Sequence, residues 1–176
     1  SHITLLRPKS HGTVTLNSAD PYDPPKIDPA FFSHPEDMEI MIKGWKKQYQ
    51  MLESEAFDDI RGNAFYPVDV NDDKAIEQDI RNRADTQYHP VGTCKMGPNS
   101  DSLAVVDKDL KVYGLDNLRV IDASVMPTLI GANTNAPTIM IAEKVADQIK
   151  SQYNLDKKDS VNKQVANESA EHEMTG

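Results

Sequence analysis

Cysteine is almost missing from this chain: Cys94 stands alone among 176 residues. No internal disulfide framework can form, and a reducing, cytoplasmic compartment is the default expectation. Basic residues are in deficit too. Lys and Arg number 19 against 28 Asp and Glu, a formal net charge of −9, and the pI is near 4.9. That balance argues against a nucleic-acid role, which needs a basic face. No apolar run approaches the length of a membrane span, and no signal peptide opens the chain. Metal-site spacing is lacking as well. There is no His-x-x-x-His, and His2, His11, His34 and His172 share no ligand pattern, so no metal is expected. Finally, no Gly-x-Gly-x-x-Gly dinucleotide fingerprint occurs anywhere.

What is present suits one ordinary domain followed by a tail. Charged residues make up 27% and hydrophobic ones 38%, a globular composition. The opening Ser1 fits a fragment or a processed product. Residues 3–7 (ITLLR) and 13–16 (TVTL) read as short strands, and Pro8 and Gly12 bracket a turn that would pair them as a hairpin. Residues 17–30 are turn-rich, with a proline forcing extended or turn backbone at each of its sites.

Ser33-x-x-Glu36 reads as a capping box. After it, Met38, Met41, Ile42, Trp45, Tyr49 and Leu52 recur at helical spacing, and Gly44 weakens that helix slightly. A second helix is expected over 72–84, capped by Asn71, with Ile76, Ile80 and Ala84 on one face. Residues 88–97 read as loop. Val105-Val106 and Leu110–Val112 flank a turn at Asp107-Lys108-Asp109, and Leu118–Ile121 reads as a short buried strand. A final helix is expected from Pro137, where a missing N–H costs nothing, to about Lys150, with Ile139, Ile141, Val145 and Ile149 as its apolar surface. Residues 151–176 are polar throughout and read as a disordered tail. The fold class is therefore α+β.

Among candidate chemical groups, His89 lies between Tyr88 and Pro90, which restricts its backbone. An imidazole that titrates near working pH suits proton transfer, although a loop histidine is more often structural. Cys94 reads either as a nucleophile or as a small buried apolar residue, and the second reading is preferred. The acidic runs Asp58-Asp59 and Asn71-Asp72-Asp73 read as solvated surface or helix caps.

Two runs, YHPVGTCKMG at 88–97 and LRVIDASVMPTLIGANTNAPTIMIAEKVAD at 118–147, together resemble the carboxy-terminal signature of the glucose-methanol-choline (GMC) oxidoreductases, flavoenzymes that oxidise alcohols. The segment LLRPKSHGTVTLNSADPYDPPKIDPAFFSHPEDMEIMIKG is similar to that family's substrate-domain strands and the helix after them. The resemblance thus runs from about residue 3 to 150. It implies an antiparallel substrate-domain sheet with packed helices and the active-site histidine loop over 1–100. A strand and helix returning to the FAD domain would follow over 101–150, and the tail over 151–176.

The resemblance also implies roles. His89 would be the base that hydrogen-bonds the substrate hydroxyl while hydride passes to flavin N5. Asn133 would assist it, since an amide both donates and accepts without titrating. Asp122, Ala123, Asn135, Ala136, Pro137 and Thr138 would lie near the FAD. The N–H groups at the start of the last helix, and its dipole, would stabilise negative charge on the reduced ring. Read from the residues alone, Asn135 equally caps that helix and Asp122 equally ends a strand. The main FAD-binding region, with its Gly-rich fingerprint, is absent, so the chain alone is expected to be inactive.

The motif wording is nearest to bacterial alcohol dehydrogenases that pass electrons to an acceptor such as a quinone or oxygen, with choline dehydrogenase the alternative. That leaves room for peripheral association of the full-length enzyme with the inner face of the membrane. A reading of another class is a detached, non-catalytic binding module.

Overall fold

Three helices and one two-stranded antiparallel sheet form the regular structure of residues 1–155, the part that the computed structural model describes, and make the chain α+β. The chain divides into two units. One comprises Ser1–Thr93 with Thr128–Asn133; the other comprises Cys94–Pro127 and the chain from Thr134 onward.

In the first unit, β1 (Thr13–Thr15) pairs with β2 (Lys26–Asp28) in the register Thr13 to Asp28, Val14 to Ile27 and Thr15 to Lys26. Every residue of both strands is exposed. The strand expected at 3–7 does not form, and neither does its hairpin with 13–16. The Ile3 side chain instead packs over α1 at Gly44, its Cδ1 3.7 Å from where a Gly44 Cβ would stand, an ordinary van der Waals distance. Farther on, the Lys9 and Ser10 N–H groups donate to the Asp37 carboxylate at 2.9 and 2.8 Å. At Gly12 a Cβ would stand 2.1 Å from the Asp28 carbonyl oxygen, which only a bare backbone allows.

Helix α1 (Pro35–Leu52) starts one residue later than the Ser33 capping box predicts. His34 is the N-cap: its backbone is extended, its Nδ1 accepts the Glu36 N–H at 3.3 Å, and Pro35 occupies the first turn. Helix α2 (Asp73–Arg83) is capped by Asp72, which accepts from Lys74 and Ala75 at 3.0 and 3.1 Å. The expected cap, Asn71, instead bonds to Asp69. The predicted faces meet: Met38 from α1 and Ile76 and Ile80 from α2 are buried together, with Met41, Ile42, Trp45, Phe32 and Val68 packed around them. Trp45 stacks on Tyr49 with ring centroids 5.5 Å apart. The ends of both faces fray outward, as Leu52 and Ala84 are exposed.

The second unit is held by backbone bonds between short irregular segments. Val105 N–H donates to the Lys95 carbonyl at 2.8 Å, Gly97 to Val106 at 3.1 Å and Tyr113 to Val105 at 3.0 Å. The expected turn at Asp107–Asp109 forms, with the Asp107 carboxylate accepting the Asp109 and Lys111 N–H groups at 2.9 Å each. The strand expected at Leu118–Ile121 reduces to a single bridge between Lys111 and Arg119, and Leu118 is exposed. Too few residues face one another there for a ladder.

Helix α3 (Asn135–Tyr153) begins two residues before the Pro137 start that the sequence suggests, and it runs beyond Lys150. Asn154, left-handed at φ 53°, closes it by donating to the Lys150 and Ser151 carbonyls. Val145 joins Val106, Leu110 and Val125 in the core, flanked by Ile141 and Ile149, whereas Ile139 faces outward. The helix thus takes up 151–153 of the expected disordered tail, and residues 156–176 of it lie outside the described residues. Among the described residues no helix is long and apolar enough to cross a membrane.

Candidate functional site

His89 sits in the loop that leaves α2. Ala84 ends the helix in extended backbone. Thr86 N–H then donates to Asp85 Oδ1 at 2.7 Å, and Tyr88 N–H donates to Thr86 Oγ1 at 3.0 Å. Tyr88 adopts a left-handed backbone at φ 60° and Gly92 another at φ 88°. Between them lie His89, which is half-buried, and Pro90, whose ring disfavours helical backbone at His89. The histidine is therefore restrained from both sides. A left-handed tyrosine is costly, of the order of 1 kcal/mol, and it gives no signal in the sequence, where glycine or asparagine would be expected at such a φ.

Asn133 belongs to the same unit as His89 and is exposed. Two residues before it, Gly131 lies beside Arg7, whose Nη2 is 3.3 Å from where a Cβ would stand. The other candidate residues, Asp122, Ala123 and Asn135–Thr138, belong to the second unit.

Asp122 caps a single 3₁₀ turn, Ala123–Val125, and its Oδ1 accepts both the N–H and the hydroxyl of Ser124, at 2.8 and 2.5 Å. The far side of that turn binds the histidine motif's own continuation: Cys94 N–H donates to the Ser124 carbonyl at 3.0 Å and Met96 N–H to that of Val125 at 2.9 Å. The two motif runs are thus joined by main-chain bonds. Cys94 is half-buried and serves this joint through its backbone. Lys95 pairs with Asp101 at 2.6 Å. The Lys95 ammonium and the Leu103 N–H hold the Asp101 carboxyl below the usual carboxylate range.

At the start of α3 the N-cap is buried Thr134, not Asn135. Asn135, Ala136 and Pro137 are the first three helical residues, so Pro137 still lies in the first turn. Thr138 turns both its N–H and its hydroxyl back to the Thr134 carbonyl, at 3.0 and 2.7 Å. Helix geometry leaves the Asn135 and Ala136 N–H groups without an intrahelical acceptor, at the positive end of the dipole. These are donors suited to the carbonyl edge of a flavin ring. Among the described residues the pyrophosphate of a dinucleotide has no comparable cradle, and the sequence has no glycine-rich fingerprint.

Residues 8–142 match the family profile described as GMC oxidoreductase. The chain is 49% identical over 149 residues to the alcohol dehydrogenase [acceptor] of Pseudomonas putida, covering 84% of this chain and 27% of that protein. It is 44% identical over 158 residues to the mitochondrial choline dehydrogenase of Mus musculus, covering 89% and 26% respectively. Among solved structures, a formate oxidase from Aspergillus oryzae RIB40, studied for modification of its FAD, superposes with a TM-score of 0.77 at 35% identity, over 85% of this chain and 26% of that one. The chain spans about a quarter of the length of the curated relatives it matches.

Proposed function

The chain belongs to the GMC oxidoreductase family, and from that premise we propose that it is the carboxy-terminal part of an FAD-dependent enzyme that oxidises the CH–OH group of a small alcohol to an aldehyde. The family uses FAD. When bound, FAD supplies the hydride-accepting centre at N5. Every other role falls to the protein.

His89 takes the hydroxyl proton as the alcohol carbon gives up its hydride, so one proton and one hydride leave together and a carbonyl remains. Asn133 holds the alcohol oxygen through its amide. The Asn135 and Ala136 N–H groups, with Pro137, Thr138, Asp122 and Ala123 around them, contact the flavin and balance its negative charge. The observation that carries this reading is the run His-Pro-Val-Gly-Thr-Cys-Lys-Met-Gly, whose histidine is held between a left-handed residue and a proline. Residues 1–100 serve as part of the substrate-binding domain, and 101–150 return to the FAD domain. Taken alone, without the glycine-rich region, the chain turns over no alcohol.

The relative named alcohol dehydrogenase [acceptor] supports an alcohol as substrate. The relatives named choline dehydrogenase support the alternative, choline, oxidised to betaine aldehyde. The electron acceptor would be a quinone or oxygen, and the full-length enzyme would be cytoplasmic, with peripheral association at the inner face of the membrane.

The test joins this chain to the glycine-rich region that family members carry before it, adds FAD and watches the flavin absorbance. Anaerobic addition of an alcohol should bleach it, and His89→Ala should slow bleaching about 10²–10⁴-fold, the usual contribution of a general base. A flavin that binds but never bleaches would support a non-catalytic binding module. Bleaching within a few-fold of the parent in His89→Ala would remove His89 from the chemistry.

A further inference from the structure

We propose that Thr86 is a positioning residue: its hydroxyl holds Tyr88 in the left-handed backbone that aims His89. The inference rests on the reading of His89 as the base.

A tyrosine at φ 60° opposes its own intrinsic preference. Something in the fold must outweigh that preference, and packing of the ring does not, because Tyr88 is 77% exposed. The contact that does is Thr86 Oγ1, which accepts the Tyr88 N–H at 3.0 Å. Such side-chain-to-backbone bonds two residues apart fold a chain into a tight turn. Thr86 is itself held, as its N–H donates to Asp85 Oδ1 at 2.7 Å. On the other side of His89 the backbone is set covalently, by the ring of Pro90, and then released at Gly92, where a left-handed φ is free of cost. The approach to the histidine thus includes one replaceable hydroxyl, while the exit is set by the Pro90 ring and Gly92.

The consequence is kinetic. Losing the bond lets Tyr88 relax toward extended backbone and swings the imidazole away for part of the time. Proton transfer demands close geometry, so the rate falls with the population that stays aimed. Alcohol binding through other groups is largely spared.

The test compares Thr86→Val, which keeps the shape and loses the acceptor, with Thr86→Ser, which keeps the acceptor. Both are made in the FAD-loaded enzyme that contains this chain. Thr86→Val should lower kcat roughly three- to tenfold, the span one hydrogen bond's net worth corresponds to, with KM within about twofold, and Thr86→Ser should restore kcat. A second readout needs no cofactor: the His89 ring nitrogen shifts of the chain itself should move in Thr86→Val and return in Thr86→Ser. A third isolates the cause. Glycine adopts a positive φ at no steric cost, so in a Tyr88→Gly background Thr86→Val should change kcat by less than about twofold.

An unchanged kcat in Thr86→Val, in an enzyme that His89→Ala inactivates, would overturn the proposal and leave the base reading intact. An equal loss in the tyrosine and glycine backgrounds would overturn it as well. Full activity in His89→Ala would remove the base reading itself.

Discussion

The carboxylate of Asp37 accepts both the backbone N–H and the hydroxyl of Ser10, at 2.8 and 2.6 Å. Asp37 is 2% exposed, yet it is fully engaged, because Lys9 N–H adds bonds of 2.9 and 3.1 Å to its two oxygens. One residue in the first turn of α1 thereby ties down Lys9 and Ser10, in the turn that follows the strand expected at 3–7.

Acid should loosen this tie. Burial pushes the Asp37 carboxyl up, but the Lys9 and Ser10 N–H groups, the Ser10 hydroxyl and the nearby His34 outweigh it, and the net shift is downward from 3.8. A depressed carboxylate contributes stability that is present above the unfolded-state value and is lost as pH falls through the folded one. The thermal unfolding midpoint of the chain should therefore fall below pH 4, and an Asp37→Asn variant should show a shallower dependence there. At neutral pH, Asp37→Ala should cost about 1–3 kcal/mol, since it strands the partly buried Lys9 and Ser10 donors.

Glycine at position 12 is required by its neighbours rather than by its torsion. A Cβ there would meet the Asp28 oxygen at 2.1 Å and the Pro29 Cα at 2.7 Å, all backbone. Gly12→Ala should destabilise by about 1–3 kcal/mol, as overpacking does. Gly62→Ala, where nothing lies within 4 Å, should stay within about 0.5 kcal/mol. Equal unfolding midpoints for the two variants would contradict this.

Tyr113 donates its hydroxyl to the Gly97 carbonyl at 2.8 Å, clamping the end of the histidine motif. Tyr113→Phe keeps the ring and removes that bond, so it should cost about 1 kcal/mol of stability. The loss should appear as faster amide exchange at 95–97, with the exchange of α1 unchanged.

Helices α1 and α2 share a polar contact as well as a core: Trp45 Nε1 donates to Asp79 Oδ2 at 3.2 Å. Asp79 also receives Arg83, through Nε at 2.8 Å and through Nη2. A double-mutant cycle with Trp45→Phe and Asp79→Ala should give a coupling of roughly 0.5–1.5 kcal/mol. A coupling near zero would mean that only the apolar face joins these helices.

An amide at position 133 makes a claim about pH. Because asparagine does not titrate, Asn133→Ala should lower the rate of the assembled enzyme about 10²–10³-fold, as losing a preorganised donor does. The ionisations in the pH–rate profile should stay where they were. Asn133→His should add one. An ionisation that disappears with Asn133→Ala would contradict this.

The fold is legible in the sequence where one face of one element decides the outcome. The run from Met38 to Trp45 and the pair Ile76 and Ile80 face a core because helical periodicity leaves them no other arrangement. Caps were displaced by one residue, to His34 and Asp72, because several neighbouring side chains can accept the same N–H groups and only the final turn selects among them. Residues 3–7 alternate like a strand, but alternation does not supply a partner. The partner of β1 lies beyond a proline-rich turn, and Ile3 packs instead over α1 at Gly44. Of the proposed site, His89 is legible as an imidazole in a restrained loop, and Asn133 only through the family resemblance. The torsion at Tyr88 stayed hidden, since tyrosine favours extended backbone and its left-handed form is selected by a hydroxyl two residues away.

The ribbon of β1 and β2 has a consequence for how the chain responds to proteases and to deuterated solvent. Its residues are exposed on both faces, with Val14 at 49% and Ile27 at 67%, and a lone two-stranded ribbon is only marginally stable in water. Its opening free energy should lie near zero, so its amides should exchange almost as fast as free peptide, and limited digestion should first cut near 16–25. Ile76, fully enclosed, should exchange only when its whole unit unfolds. The same chain therefore carries both the slowest and the fastest clocks of its own unfolding, and any contact that covers the ribbon would be visible as the fast one slowing down.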